Sequence, residues 1–107
     1  MSGNINSQEH ASEDQKQRLH ATIKGRVQGV GFRHFVMQNA GELDLTGWVR
    51  NRRGGTVEVV AEGPRFRLEE LLRRLHSGPV SARVREVEHT WKKHQDSFTG
   101  FRVRATY

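Results

Sequence analysis

Two periods of apolar and polar residues divide the chain into predicted strands and helices. Leu19, Ala21 and Ile23 alternate with polar residues, which is the period of a strand with one buried face. From residue 32 to about residue 43, apolar residues instead recur every three or four positions, as on the buried side of a helix. Together the two periods predict strands over residues 18–24, 45–50, 56–62, 82–92 and 101–106, and helices over residues 32–43 and between Pro64 and Gly78.

The order of these elements predicts a fold class. A strand-helix-strand-strand-helix-strand order is that of a ferredoxin-like α+β sandwich, in which two helices cover one face of an antiparallel sheet, and here an additional C-terminal strand follows. The parity of apolar residues slips once between Val84 and Val87, which predicts a β-bulge in the fourth strand. Because this fold occurs with many functions, the function has to be argued from the site.

The first residues and the composition limit the possible classes of protein. Residues 1–17 are almost wholly polar and follow neither period, so we predict a disordered polar leader there and one domain over residues 18–107. No apolar run is long enough for a signal peptide or a membrane span, and we expect no membrane partner. The absence of cysteine excludes disulfides and thiolate nucleophiles and fits a cytoplasmic protein. A net charge of +6 favours anionic partners, either nucleic acid or a small phosphorylated compound.

A glycine-rich turn joins the first predicted strand to the first predicted helix. Residues 25–31 contain three glycines, whose backbone freedom lets successive amides face a small anion. The spacing is neither that of a dinucleotide fingerprint nor that of a Walker A loop. Arg33, in the first helical turn, opposes the positive end of the helix dipole, and a bound anion would remove that conflict. The alternatives are a tight turn without a ligand and a solvated arginine.

Asn51, at the end of the second predicted strand, is the next candidate. By alternation it shares the face of Leu45 and Val49, which the helices should cover. Its amide can cap the following turn, or it can hold a water through one donor and one acceptor contact. Arg33, the loop amides and Asn51 would together bind a phosphoryl group and place a water in line with it. No acid is present for the leaving group, and a carboxylate with a pKa of about 4 needs none, so this chemistry points to an acyl phosphate.

Two stretches resemble the motifs of the acylphosphatase family. Residues 23–33 read Ile-Lys-Gly-Arg-Val-Gln-Gly-Val-Gly-Phe-Arg, and residues 47–51 read Gly-Trp-Val-Arg-Asn, followed by Gly55, Val57 and Gly63. The resemblance covers nearly everything from about Leu19 onward. It implies an enzyme that hydrolyses acyl phosphates to carboxylate and inorganic phosphate without a metal or cofactor.

The resemblance also implies roles for particular residues. Asn51 would orient the attacking water, and the substrate's own phosphate would take the proton of that water. The phosphate would be bound by the guanidinium of Arg33 and by the loop amides of Gln28, Gly29, Val30, Gly31, Phe32 and Arg33. One departure is Asp44, which stands where family members often have glycine at the helix end; because Asp tolerates the left-handed conformation, we expect only a small stability cost.

Several partners and alternatives follow from the same residues. We expect a small-molecule acyl phosphate as substrate, inorganic phosphate as product and inhibitor, and a monomer. The six histidines show no metal-ligand spacing, and we predict no metal site. An RNA-binding module is one alternative, but the third strand lacks the aromatic residues that such modules use, which makes nucleic acid an unexpected partner. A second alternative is a domain that handles carbamoyl phosphate within a larger machine, although such domains are usually fused to others.

Overall fold

The computed structural model describes residues 15–107, which form one sheet and two helices. The strands lie in the order β4-β1-β3-β2-β5, and the pairs β4-β1, β1-β3 and β3-β2 are antiparallel. This order confirms the predicted ferredoxin-like sandwich. The elements are β1 (Lys16–Arg26), α1 (Phe32–Glu42), β2 (Thr46–Asn51), β3 (Val57–Pro64), α2 (Arg65–Ser77), β4 (Arg83–Lys93) and β5 (Phe101–Val103).

The first strand begins two residues earlier than predicted. Lys16 and Gln17 pair with Pro64 and Gly63 on β3 and so belong to the sheet rather than to a leader. The hydrophobic pattern does not show that these two residues belong to the strand, because their side chains are polar and strand pairing uses backbone groups only. Of the rest of the predicted leader, residues 1–14 lie outside the described residues.

The additional C-terminal strand, whose direction the sequence did not predict, makes the sheet mixed. β5 pairs with β2 in parallel, with Gly47 opposite Phe101. β4 and β5 lie at opposite edges, so the chain leaves β4 at one end of the sheet and crosses to the other edge at that same end. β5 must then run opposite to β4, which is the direction of β2. The strand is also shorter than predicted, although the Arg104 N–H still donates to the Val49 carbonyl at 2.9 Å.

The core lies between the helices and one face of the sheet. Alternate residues of the central strands face it, as the period of two predicted, and each helix contributes one apolar side. The predicted bulge is confirmed, because the register shifts between Lys24 opposite Glu86 and Gly25 opposite Val84. The fully buried side chains include Leu19, Ile23, Phe32, Val36, Val49, Val57, Val59, Leu68, Leu71 and Leu75. Among residues 15–107, neither helix is long and apolar enough to cross a membrane.

Asp44 ends α1 in the left-handed conformation that the sequence predicted, with φ of 56°. The Leu45 N–H donates to the Ala40 carbonyl at 2.9 Å, and the Asp44 N–H donates to the Gly41 carbonyl at 3.1 Å. These two bonds form a Schellman motif, which satisfies the last carbonyls of the helix. The turn therefore forms without glycine and leads the chain directly into β2.

A buried carboxylate holds together the sheet face opposite the helices. Glu58 on β3 is only 7% exposed and accepts hydrogen bonds from His20 at 2.7 Å, Arg50 at 2.8 Å and Arg52 at 3.1 Å. Burial raises the pKa of Glu58, but these three donors outweigh it and bring the pKa down from 4.5 to about 2. The charged form is thus stabilised in the folded protein.

We expect Glu58 to make the fold acid-sensitive. Its pKa is lower folded than unfolded, so its contribution to the free energy of unfolding is complete above about pH 4.5 and disappears as the pH falls towards 2. The full contribution is up to about 3 kcal/mol. Urea unfolding at several pH values should show Glu58→Gln less stable than wild type at pH 7, with the difference narrowing towards pH 2. A difference that is constant across this range would contradict the expectation.

Candidate active site

The loop between β1 and α1 adopts the conformation for which its glycines were singled out. Gly29 and Gly31 have φ of 74° and 80°, in the left-handed region that other residues rarely adopt. A Cβ atom built on either residue would meet no heavy atom within 4 Å. The requirement for glycine at these two positions therefore comes from the turn of the backbone rather than from crowding.

The backbone N–H groups of residues 28–33 donate no hydrogen bond within residues 15–107. The backbone bonds of the loops include the Phe35 N–H donating to the Gly31 carbonyl at 3.0 Å, but none donated by residues 28–33. Gly31 is the N-cap of α1 and offers no side-chain acceptor, and the first turn of the helix contains no acidic residue. The N–H groups here also carry the positive end of the helix dipole. The loop thus has the donors and the polarity to bind an anion.

Arg33 lies beside this loop in the first turn of α1. Its side chain is half-buried, and within the described part of the chain it forms no ion pair or hydrogen bond with another side chain. By contrast, Arg18 and Arg50 on the sheet each bond a buried glutamate at 2.7 and 2.8 Å. Arg33 is therefore a cation that the neighbouring protein does not neutralise.

Asn51 lies in the same cleft as Arg33. The cleft has a volume of about 330 Å³ and is lined by Val27, Gly29, Gly31, Phe32, Arg33, His34, Met37, Asn51 and Val103. Asn51 is half-buried at the end of β2, opposite Val57, and its side chain makes no hydrogen bond within residues 15–107. The structure thus brings together the two side chains that the sequence proposed, and it leaves the Asn51 amide free to bind.

The alternative role for Asn51, as a cap of the hairpin turn, is taken by another residue. The turn is closed by the Arg52 N–H donating to the Thr56 carbonyl at 2.9 Å and by the Gly55 N–H donating to the Arg52 carbonyl at 3.1 Å. The side-chain amide of Gln28 adds hydrogen bonds to the same two carbonyls, at 2.8 and 2.9 Å. The sequence predicted a role for the backbone amide of Gln28 but not this contact.

The cleft lining contains one titratable side chain besides Arg33. His34 is exposed at its rim, and the lining includes no carboxylate and no hydroxyl or thiol group. From the sequence, no role in the site was predicted for His34, although its position next to Arg33 is a signal that it lies nearby. Within residues 15–107, no group of histidines and carboxylates is arranged to hold a metal ion.

A second, larger cleft lies near the edge strand β4 and the start of α2. Its volume is about 650 Å³, and the guanidinium of Arg65 lies 3.7 Å from the centre of the Trp91 ring there. The cleft contains neither Arg33 nor Asn51. The smaller cleft is thus the one in which amides, a cation and a free side-chain amide converge.

Two solved structures with the same fold are acylphosphatases. The ferredoxin-like sandwich superposes on an acylphosphatase from Bacillus subtilis with a TM-score of 0.80 and 34% identity, covering 82% of this chain and 98% of that one. An acylphosphatase from Coxiella burnetii gives 0.79 and 43%, covering 83% of this chain and 93% of the other.

The sequence comparisons agree with the structural ones. The family model of acylphosphatase matches residues 19–103. An acylphosphatase from Salinibacter ruber is 52% identical over 89 residues, which are 83% of this chain and 94% of the relative. The chain therefore belongs to the acylphosphatase family, a family of enzymes that act on acyl phosphates.

Proposed function

We propose that this enzyme hydrolyses the carboxyl-phosphate bond of acyl phosphates in the cleft between the glycine loop and the end of β2. The observation that carries the proposal is the convergence of the unpaired loop amides, the unneutralised Arg33 and the free Asn51 amide in one cleft. Five amides, those of Gln28 to Phe32, and the amide and guanidinium of Arg33 bind the phosphoryl oxygens. Their positive character stabilises the charge of these oxygens as the bond to the leaving group breaks.

Asn51 supplies the nucleophile in this mechanism by orienting a water. Its carbonyl oxygen accepts one hydrogen bond from the water, and its NH₂ group can donate another, so the water is held in a fixed orientation. The water oxygen forms the new bond to phosphorus while the bond from phosphorus to the carboxyl oxygen breaks on the opposite side. The bonding electrons leave with the carboxylate, and a phosphoryl oxygen of the substrate takes the proton of the water.

The composition of the cleft fits a substrate whose leaving group needs no proton. A carboxylate has a pKa of about 4 and is stable as an anion at neutral pH. The lining contains no carboxyl group that could protonate a more basic leaving group. Acyl phosphates are thus favoured over phosphomonoesters, whose alkoxide requires an acid.

The test is release of inorganic phosphate from acetyl phosphate and benzoyl phosphate, measured with and without a chelator. We expect turnover that the chelator does not change, competitive inhibition by inorganic phosphate, and negligible release from an alkyl phosphomonoester. A wild-type protein that releases phosphate from neither acyl phosphate would refute the proposal. That the enzyme is a cytoplasmic monomer without membrane or nucleic-acid partners stays a prediction.

His34 provides a direct test of the absence of acid catalysis. We expect His34→Gln to keep kcat for acetyl phosphate within about threefold of wild type, because general acid catalysis typically contributes far more, roughly 100-fold or greater. The measurement is the pH profile of kcat for the variant and for wild type. A loss of two orders of magnitude, or the disappearance of one limb of the profile, would show that the histidine transfers a proton.

A further inference from the structure

Gln28 joins the two halves of the proposed site through its side chain. Its Nε2 atom donates to the carbonyl oxygen of Arg52 at 2.8 Å and to that of Thr56 at 2.9 Å. Both partners can only accept, so the group that faces them has to be the NH₂ end, which has two protons for two carbonyls. The side chain is thus matched to the hairpin, while its backbone amide belongs to the phosphate loop.

The two carbonyls lie at the two ends of the turn that follows Asn51. Arg52 comes directly after Asn51, and Thr56 comes directly before Val57, the residue paired with Asn51 across the strands. Gln28 therefore holds the hairpin one residue beyond Asn51, on both of its strands at once. Within residues 15–107, these are the hydrogen bonds that connect residues 27–33 to residues 51–56.

A direct link matters here because the halves of the site belong to strands that are not neighbours. The loop follows β1 and Asn51 ends β2, and β3 lies between these two strands in the sheet. Without Gln28, the position of Asn51 relative to the bound phosphoryl group would depend on the twist and spacing of two strand pairs. In-line attack is sensitive to this position, since a displacement of about 1 Å can cost roughly 100-fold in rate.

We infer that Gln28 is a positioning residue that fixes Asn51, and with it the attacking water, relative to the phosphate loop. This inference rests on the proposed function of the site. It separates two parts of catalysis: the loop and Arg33 bind the phosphate, and the link from Gln28 sets the direction of attack. Loss of the link should therefore lower kcat and leave phosphate binding nearly intact.

The experiment compares Gln28→Ala and Gln28→Glu with wild type. Glutamate keeps the size of the side chain, but its ionised carboxylate has no proton to donate to the two carbonyls. We expect both variants to lose roughly 10- to 100-fold in kcat for acetyl phosphate. In Gln28→Ala, which adds no charge, the inhibition constant of inorganic phosphate should change by less than about threefold, because the binding groups remain. Gln38→Ala, an exposed glutamine on α1, is the matched control and should change neither value.

A double-mutant cycle with Asn51→Ala distinguishes positioning from a general structural role. If Gln28 acts through Asn51, Gln28→Ala should lower kcat strongly in wild type and barely in the Asn51→Ala background. All assays are run below the unfolding transition, which thermal melts of each variant define. The inference is overturned by an unchanged kcat in Gln28→Ala, by equal losses in both backgrounds, or by a rise in the phosphate inhibition constant that matches the loss in kcat. An inactive wild type would instead refute the proposed function, and the inference with it.

Discussion

Replacing Arg33 by alanine is expected to lower kcat/KM for acyl phosphates by about 100- to 1,000-fold, the size of effect seen when one donor to a developing anion is removed. The guanidinium is the cation in the cleft lining that no neighbouring carboxylate neutralises within residues 15–107. It should contact the phosphoryl group both in the bound substrate and in the transition state. The variant should therefore show a higher KM, and a higher inhibition constant for inorganic phosphate, as well as a lower kcat. Steady-state kinetics with phosphate as inhibitor measure all three values.

The same variant should be more stable than wild type although it is less active. Arg33 places a positive charge at the positive end of the α1 dipole, so its removal should raise the free energy of unfolding by roughly 0.3 to 1 kcal/mol. Arg33→Lys keeps the charge without the planar pair of donors and should recover only part of the activity. Arg73→Ala, at an exposed position on α2, is the control and should leave the kinetics unchanged. An Arg33→Ala variant that binds inorganic phosphate as wild type does would show that the guanidinium is not part of the phosphate site.

The order of elements could be read from the sequence because each element carries its own period. β1 alternates strictly, β3 alternates except at Val60, and the leucines of α2 recur at helical spacing, so local patterns were sufficient. Even the bulge in β4 appeared as a change of parity between Val84 and Val87. The start of β1 could not be read this way, because Lys16 and Gln17 pair through their backbones and bury no apolar side chain.

The direction of β5 depends on interactions between distant residues. The segment after β4 is held to the sheet by Glu62, whose carboxylate accepts the N–H groups of Gln95 at 2.9 Å and Asp96 at 3.0 Å. Burial raises the pKa of Glu62, but the Gln95 N–H and Arg18 outweigh it, so the pKa is lowered overall. In the sequence, Glu62 is one polar position of an alternating strand, and nothing local indicates that it anchors a crossing segment.

The site shows the same division between local and distant information. The glycines could be recognised as site residues because three of them lie within seven positions, and Arg33 because its charge opposes the helix dipole at the start of α1. The face of Asn51 followed from strand parity. The contact of Gln28 with the hairpin joins residues 24 and 28 positions apart, and glutamine in a loop carries no signal of such a partner.

Replacing Asn51 by alanine is expected to lower kcat by about 100- to 1,000-fold with little change in KM or in phosphate inhibition. The expected loss, about 3 to 4 kcal/mol of transition-state stabilisation, is taken by analogy with the loss of an oxyanion donor. Asn51 contacts the attacking water in the proposed mechanism, whereas Arg33 and the loop amides bind the phosphate. Its side chain makes no hydrogen bond within residues 15–107, and the turn after it is closed by backbone groups and Gln28. The variant should therefore fold with nearly the stability of wild type.

Asn51→Asp separates orientation of the water from a mere need for a polar group. Aspartate has the same shape, but its carboxylate loses the donor and places a negative charge beside the phosphoryl oxygens. We expect it to be no more active than Asn51→Ala at neutral pH, and to bind inorganic phosphate more weakly than that variant. The contrast with Arg33→Ala, which should lose phosphate binding and kcat together, assigns the two side chains to different steps. If Asn51→Ala instead raised the phosphate inhibition constant in proportion to its loss of kcat, Asn51 would be a phosphate ligand, and the water would have to be oriented by another group.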